Sequence, residues 1–157
     1  MTIFLPLVLN AALLLTLLLI LLSDLHHRRI SNRKILCIAC LAMADWIAQP
    51  HFGWGDVAVR LGLMLGAIGL FSIPFLFHWM GGGDVKLFGA LALWCDADKY
   101  LQLLLVISLV GIPVSLYGLA RRTWLQPHSD DFVPYGIAIA LGAIWVLCQP
   151  VINHFVG

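Results

Sequence analysis

Two aspartates are placed where chemistry can start. Asp84 follows three glycines in "MGGGDVKLF", residues 80–88, and Asp24 closes a leucine-rich run in "LLSDLHHRRISN", residues 21–32. The chain around them is 62% hydrophobic and only 11% charged, so each carboxylate stands out against its setting. Two aspartates that face one another have a specific use. Like charges held close do not both ionise cheaply, so one keeps a proton while the other acts as a base. The ionised member takes a proton from water, and the protonated member polarises the carbonyl under attack. Such a pair needs neither a metal ion, nor a cofactor, nor a nucleophilic side chain. Bland roles are also open at this point: Asp24 can pair with Arg28 one helical turn on, and Asp84 can cap a helix.

Nothing else in the chain competes. There is no G-x-S-x-G, H-E-x-x-H or phosphate-loop pattern, and "GGGD" lacks the lysine and hydroxyl ending of a phosphate loop. Cys37 and Cys40 form a C-x-x-C inside an apolar run, with no second pair or histidine nearby. They read as small helix-packing residues rather than as metal ligands. His26 and His27 are adjacent and cannot share one helix face. Asp56 reads as a helix cap, and Asp96, Asp98, Asp130 and Asp131 fall in expected loops and read as solvated. Asp45 lies in the outer part of an apolar run beside Trp46, at the depth of the interface.

The elements that must position the two aspartates are apolar helices. With 157 residues and a mean hydropathy of +0.98, the chain reads as one domain, residues 1–157, whose solvent is lipid. A net charge of +1 argues against a nucleic-acid partner. The leucine-rich N-terminus lacks the basic start and small-residue cleavage site of a signal peptide, so it reads as a retained span. That span, residues 3–23, is about 31 Å long as a helix, against a bilayer core of about 30 Å. Further spans are expected over 35–48, 56–79, 85–95, 100–120 and 133–155, with Pro134 in the first turn of the last. The expected fold is all-α and polytopic, with about six transmembrane helices.

Basic residues orient this arrangement. With the N-terminus outside, Arg28, Arg29, Arg33, Lys34, Lys86, Arg121 and Arg122 fall inside, and only Arg60 and Lys99 fall outside. That distribution obeys the positive-inside rule. It also brings Asp24 and Asp84 to one membrane face. The fourth span is too short to cross unaided, so its start is expected to sink into the protein and carry Asp84 on non-helical glycine backbone, enclosed by protein or water. Gly83 is expected to take a positive φ or to allow a close approach of backbone.

These residues resemble a known family. Gly81, Gly83 and Asp84 match the G-x-G-D motif of intramembrane aspartic proteases, and Lys86 fits the G-x-G-D-x-K form of prepilin peptidases. Asp24, Ile30 and Asn32 are in register with the family's other motif, D-x-x-x-x-x-I-P-N, with Ser31 at the usual proline. "VPYGIAIALG", residues 133–142, looks like the last-span motif of the Tad/Flp pilus branch. The resemblance implies an aspartic endopeptidase of the bacterial inner membrane. Such an enzyme cleaves the leader peptide of type IV prepilins or pseudopilins at the cytoplasmic face. It makes Asp24 and Asp84 the catalytic pair, gives Gly81 and Gly83 the turn that presents Asp84, and has Lys86 tune that carboxylate or hold substrate.

Larger relatives carry a methyltransferase segment with two C-x-x-C pairs. Nothing corresponds to it here, so peptidase activity alone is expected. The runner-up within enzymes is an archaeal-type preflagellin peptidase or another G-x-G-D protease. Outside enzymes it is a small proton-coupled transporter subunit using the two aspartates as a relay. The latter would favour mid-span carboxylates on continuous helices and, in many folds, inverted repeats.

Overall fold

The computed structural model describes residues 4–27, 30–49, 53–78, 80–124 and 135–156. These residues form six helices and no strand: α1 (Phe4–His27), α2 (Asn32–Ala48), α3 (Trp54–Leu76), α4 (Gly82–Ala92), α5 (Ala97–Trp124) and α6 (Tyr135–Val156). The aliphatic runs form helices as expected, with ends shifted by a few residues. Among the described residues, Leu5–His26 and Trp54–Leu76 are long and apolar enough to cross a membrane, and Tyr135–Leu147 is a shorter apolar helix.

The packing is organised around α4. Every residue from Asp84 to Cys95 is buried except Lys86. α4 lies against α2, α3 and α6, while α1 packs on α2 and α6, and α5 packs on α6. One stripe of each helix supplies the core: Leu13, Leu17 and Ile20 from α1, Ile38 and Ala42 from α2, Leu103 and Ile107 from α5, and Ile139 and Ala143 from α6. Glycines let neighbouring helices approach closely: a Cβ on Gly89 would meet Ile68 at 2.9 Å, and one on Gly142 would meet Ile107 at 2.6 Å. Large apolar side chains also cover the outside, among them Leu15, Leu18 and Leu19 of α1 and Leu65, Leu70 and Ile73 of α3. Water does not favour such a surface, and lipid does.

Side chains hold the short helix at its far end. Leu93, which caps α4, offers its carbonyl to Trp46 Nε1 at 2.9 Å and to Arg60 Nη1 at 3.4 Å. Trp94 Nε1 donates to the Ile38 carbonyl at 3.0 Å, and Tyr100 donates to the Phe88 carbonyl at 3.2 Å. Carbonyls at a helix C-terminus have no partner within the helix, and donors from α2 and α3 supply two of the contacts here.

Several expectations need correction. Arg60, one of the two cations counted on the outer side, is held inside the protein. α3 starts at Trp54, so Arg60 is inside the helix and buried, 3.1 Å from the Asp96 carboxylate and 5.9 Å from the centre of the Trp46 ring. Asp96 is therefore exposed but paired, and Asp98 belongs to the first turn of α5 rather than to a loop. Asp45 is buried and accepts a 2.6 Å hydrogen bond from Gln49. Gly53, not Asp56, is the N-cap of α3. Cys37 and Cys40 lie on the exposed side of α2, not in a packed seam. Arg28, Arg29, Asp130, Asp131, Val133 and Pro134 fall outside the described residues.

Candidate active site

Asp24 comes from the last turn of α1, and Asp84 is the third residue of α4. Sixty residues separate them in the chain. Both are buried, with 5% and 8% of their surfaces exposed, and they lie close enough for the charge of Asp24 to act on Asp84.

The backbone under Asp84 differs from the expected loop. Gly81 is the N-cap in an extended conformation, with φ −73° and ψ 142°, and Gly82 and Gly83 are already helical. Among the described residues no glycine has a positive φ; the left-handed residue is His78, with φ 57°, in the turn that ends α3. The glycines are needed for space instead. A Cβ on Gly83 would lie 3.0 Å from Ile30 Cβ, and one on Gly81 would lie 3.3 Å from Asp84 Oδ2. The Gly81 N–H donates to the Asp84 carboxylate, satisfying one of the free donors of the first turn.

A capping box forms at α3, where the Gly53 N–H donates to Asp56 Oδ2 at 2.9 Å in "GWGD", residues 53–56. Asp56 is exposed there, whereas Asp84 is buried beside a second carboxylate. The G-x-G-D pattern thus opens a helix in both places, with its first glycine as the N-cap. Burial and Asp24 distinguish the site.

The two sequence motifs interlock residue by residue. Ile30 sits against Gly83, and Asn32 Oδ1 accepts a 3.2 Å hydrogen bond from Lys86 Nζ. Lys86 is exposed and reaches Asn32; the groups that act on the Asp84 carboxyl are burial, Asp24 and Gly81. Lys86 therefore ties the start of α2 to α4.

A third element completes the site. α6 brings Gly136 so close to Asp24 that a Cβ there would lie 2.7 Å from Oδ2 and 2.9 Å from Cγ. Its neighbour Tyr135 lies within electrostatic reach of Asp84. Sequence reasoning quoted "VPYGIAIALG" as a motif but singled out neither residue. The available signal was a glycine in the first turn of an otherwise aliphatic helix.

Asp84 lies outside both helices long enough to cross a membrane. Burial chiefly, and the charge of Asp24 second, push its carboxyl up to about 7, against the opposing effect of the Gly81 N–H. A carboxyl so poised can give or take a proton near neutral pH. Among the described residues no group of three His, Cys, Asp or Glu is placed to hold a metal ion.

The profile of the type IV leader peptidase family matches residues 11–116, which include both aspartates. This chain belongs to the type IV leader peptidase family. The match spans most of α1, all of α2 to α4 and most of α5, and it ends before α6. A prepilin leader peptidase/N-methyltransferase of Xanthomonas campestris pv. campestris is 26% identical over 133 residues, covering 79% of this chain. The chain spans 43% of the length of that curated relative. No solved structure matches the chain.

Proposed function

We propose that this leader peptidase family member is an aspartic endopeptidase using Asp24 and Asp84, and that its substrates are type IV prepilins or pseudopilins, of the Flp type, with their leader peptides. The observation that carries this reading is the pair of buried carboxylates, supplied by α1 and α4 and close enough to influence one another. The pair holds one proton between its members near neutral pH, and Asp84 is the favoured carrier. Asp24 removes a proton from water as the oxygen attacks the scissile carbonyl, and Asp84 gives its proton to the carbonyl oxygen. The tetrahedral intermediate collapses as the C–N bond breaks, with a proton passing to the departing amine.

In this reading residues 1–157 form one peptidase unit in the bacterial inner membrane, with α1 to α6 as a polytopic bundle. α4 is a short helix enclosed by protein, with Asp84 at its cytoplasmic end. The distribution of basic residues supports that orientation.

The test is leader cleavage in membranes that contain a co-expressed prepilin. Asp24→Asn and Asp84→Asn should each abolish cleavage at normal protein levels, because the pair works as a unit. Asp98→Asn, on the exposed first turn of α5, should process normally. Full cleavage by either core variant would rule out the pair.

A further inference from the structure

A cavity of about 190 Å³ lies between α3, the α3–α4 turn and α6, lined by Phe71, Pro74, Met80 and Tyr135. Its volume is that of roughly six waters, going by a share of about 30 Å³ each in the liquid, which suits one large side chain. Two of its four lining residues adjoin, in the chain, residues that meet the aspartates. Met80 immediately precedes Gly81, whose N–H holds the Asp84 carboxylate. Tyr135 is within reach of the Asp84 charge and precedes Gly136, which abuts Asp24.

The lining is apolar and fixed in place. The Phe71 ring stacks on Phe88 of α4, with centroids 3.9 Å apart and planes 9° from parallel. Pro74 lies within α3 and has a rigid ring. The Tyr135 hydroxyl is seated on α5, where a Cβ on Gly111 would lie 2.8 Å from it. A preformed apolar recess beside reacting groups is the usual form of a specificity pocket.

We propose that this cavity takes an apolar side chain of the peptide substrate, from one of the two residues flanking the scissile bond, and that Met80 and Tyr135 set its size. The inference rests on the peptidase reading above and deepens it. A substrate strand lying across Asp24 and Asp84 turns alternate side chains to opposite sides, so one of them meets this recess. Complete burial of a large apolar side chain corresponds to about 10- to 100-fold in kcat/KM over an alanine at the same position.

The test uses the full chain in proteoliposomes with a set of prepilin-like peptides. They differ only at the two flanking positions, each carrying leucine, phenylalanine, alanine or aspartate. The wild-type chain should prefer the large apolar residues over alanine and aspartate at one of the two positions. Met80→Trp fills the recess and should reduce the ratio of kcat/KM for phenylalanine over alanine at least tenfold. Met80→Ala enlarges it and should shift preference toward phenylalanine over leucine. A proportional loss on every peptide, or unchanged ratios in both variants, would overturn the pocket while leaving the peptidase intact; that is also the outcome if lipid occupies the recess. Failure of the wild-type chain to cleave any peptide would overturn the peptidase reading, and the pocket with it.

Discussion

Gly136→Ala tests the site at its narrowest point. The substitution adds one methyl group to the first turn of α6, and the new Cβ would lie 2.7 Å from Asp24 Oδ2, 2.9 Å from Cγ and 3.1 Å from Ile30 Cδ1. Ordinary contact begins near 3.4 Å, so the carboxylate must retreat by about 0.7 Å or α6 must move out by as much. Ile30 stands against Gly83 on its other side, which closes one direction of escape. A misplacement of about 1 Å in a catalytic group costs on the order of 100-fold in rate, so a loss of roughly 10- to 100-fold in kcat is expected, or about 1.4 to 2.7 kcal/mol in the barrier. Alanine is the better helix former by about 1 kcal/mol, so the amount of folded protein should not fall in proportion. The assay is steady-state cleavage of a prepilin by purified enzyme in proteoliposomes, with kcat and KM measured separately and thermal unfolding run in parallel. A kcat within twofold of wild type, in a protein that folds normally, would refute the claim that α6 seats the Asp24 carboxylate.

The remaining predictions address Asp84 and its support. Ionisation of Asp84 removes the acid, so kcat/KM should fall as pH rises through about 7. Gly81→Pro suits the local φ of −73° but deletes the N–H that stabilises the carboxylate. It should therefore move that basic limb to higher pH, whereas Gly81→Ala, which adds a Cβ but keeps the N–H, should not; coincident pH profiles would discard the capping argument. Gly83→Val should slow cleavage strongly, because its Cβ meets the branch point of Ile30 at 3.0 Å. Gly82→Ala meets only the ring of the exposed Phe75 at 3.1 Å and should be milder, so equal losses at matched membrane levels would contradict this. A carboxyl whose folded pKa is raised contributes stability below its unfolded value near 4, and that contribution is lost as pH rises to about 7. Asp84→Asn should accordingly melt above wild type in detergent at pH 8, and the gap should shrink at pH 5.

Much of this arrangement was legible in the chain because long aliphatic runs leave few alternatives to helix in lipid. Six runs marked six helices, and the two motifs marked Asp24 and Asp84. The errors have local causes. Three successive glycines read as a hinge by propensity, yet α4 starts at Gly82 because the Asp84 carboxylate meets the Gly81 N–H and Ile30 packs where a side chain would otherwise stand. Arg60 read only as an outer-side charge of the third span. Its buried setting depends on Trp46, Leu93 and Asp96, which come from other segments. Gly136 and Tyr135 could not be singled out, since their meaning lies in contacts with residues 24, 84 and 111. Such pairings are created by packing and leave no local pattern.

The placement of Gly136 and Tyr135 against the aspartates has a consequence for how the protein is made. α6 is the last of the six helices to leave the ribosome, and more than forty residues follow Asp84 before Tyr135 is added. Until then a nascent chain carries both acids, but the wall behind Asp24 and one side of the adjoining recess are missing. On the peptidase reading proposed above, competence would therefore arrive at the end of synthesis rather than grow along the chain. On that reading, a polypeptide stalled or truncated after α5 would carry both acids without being able to use them.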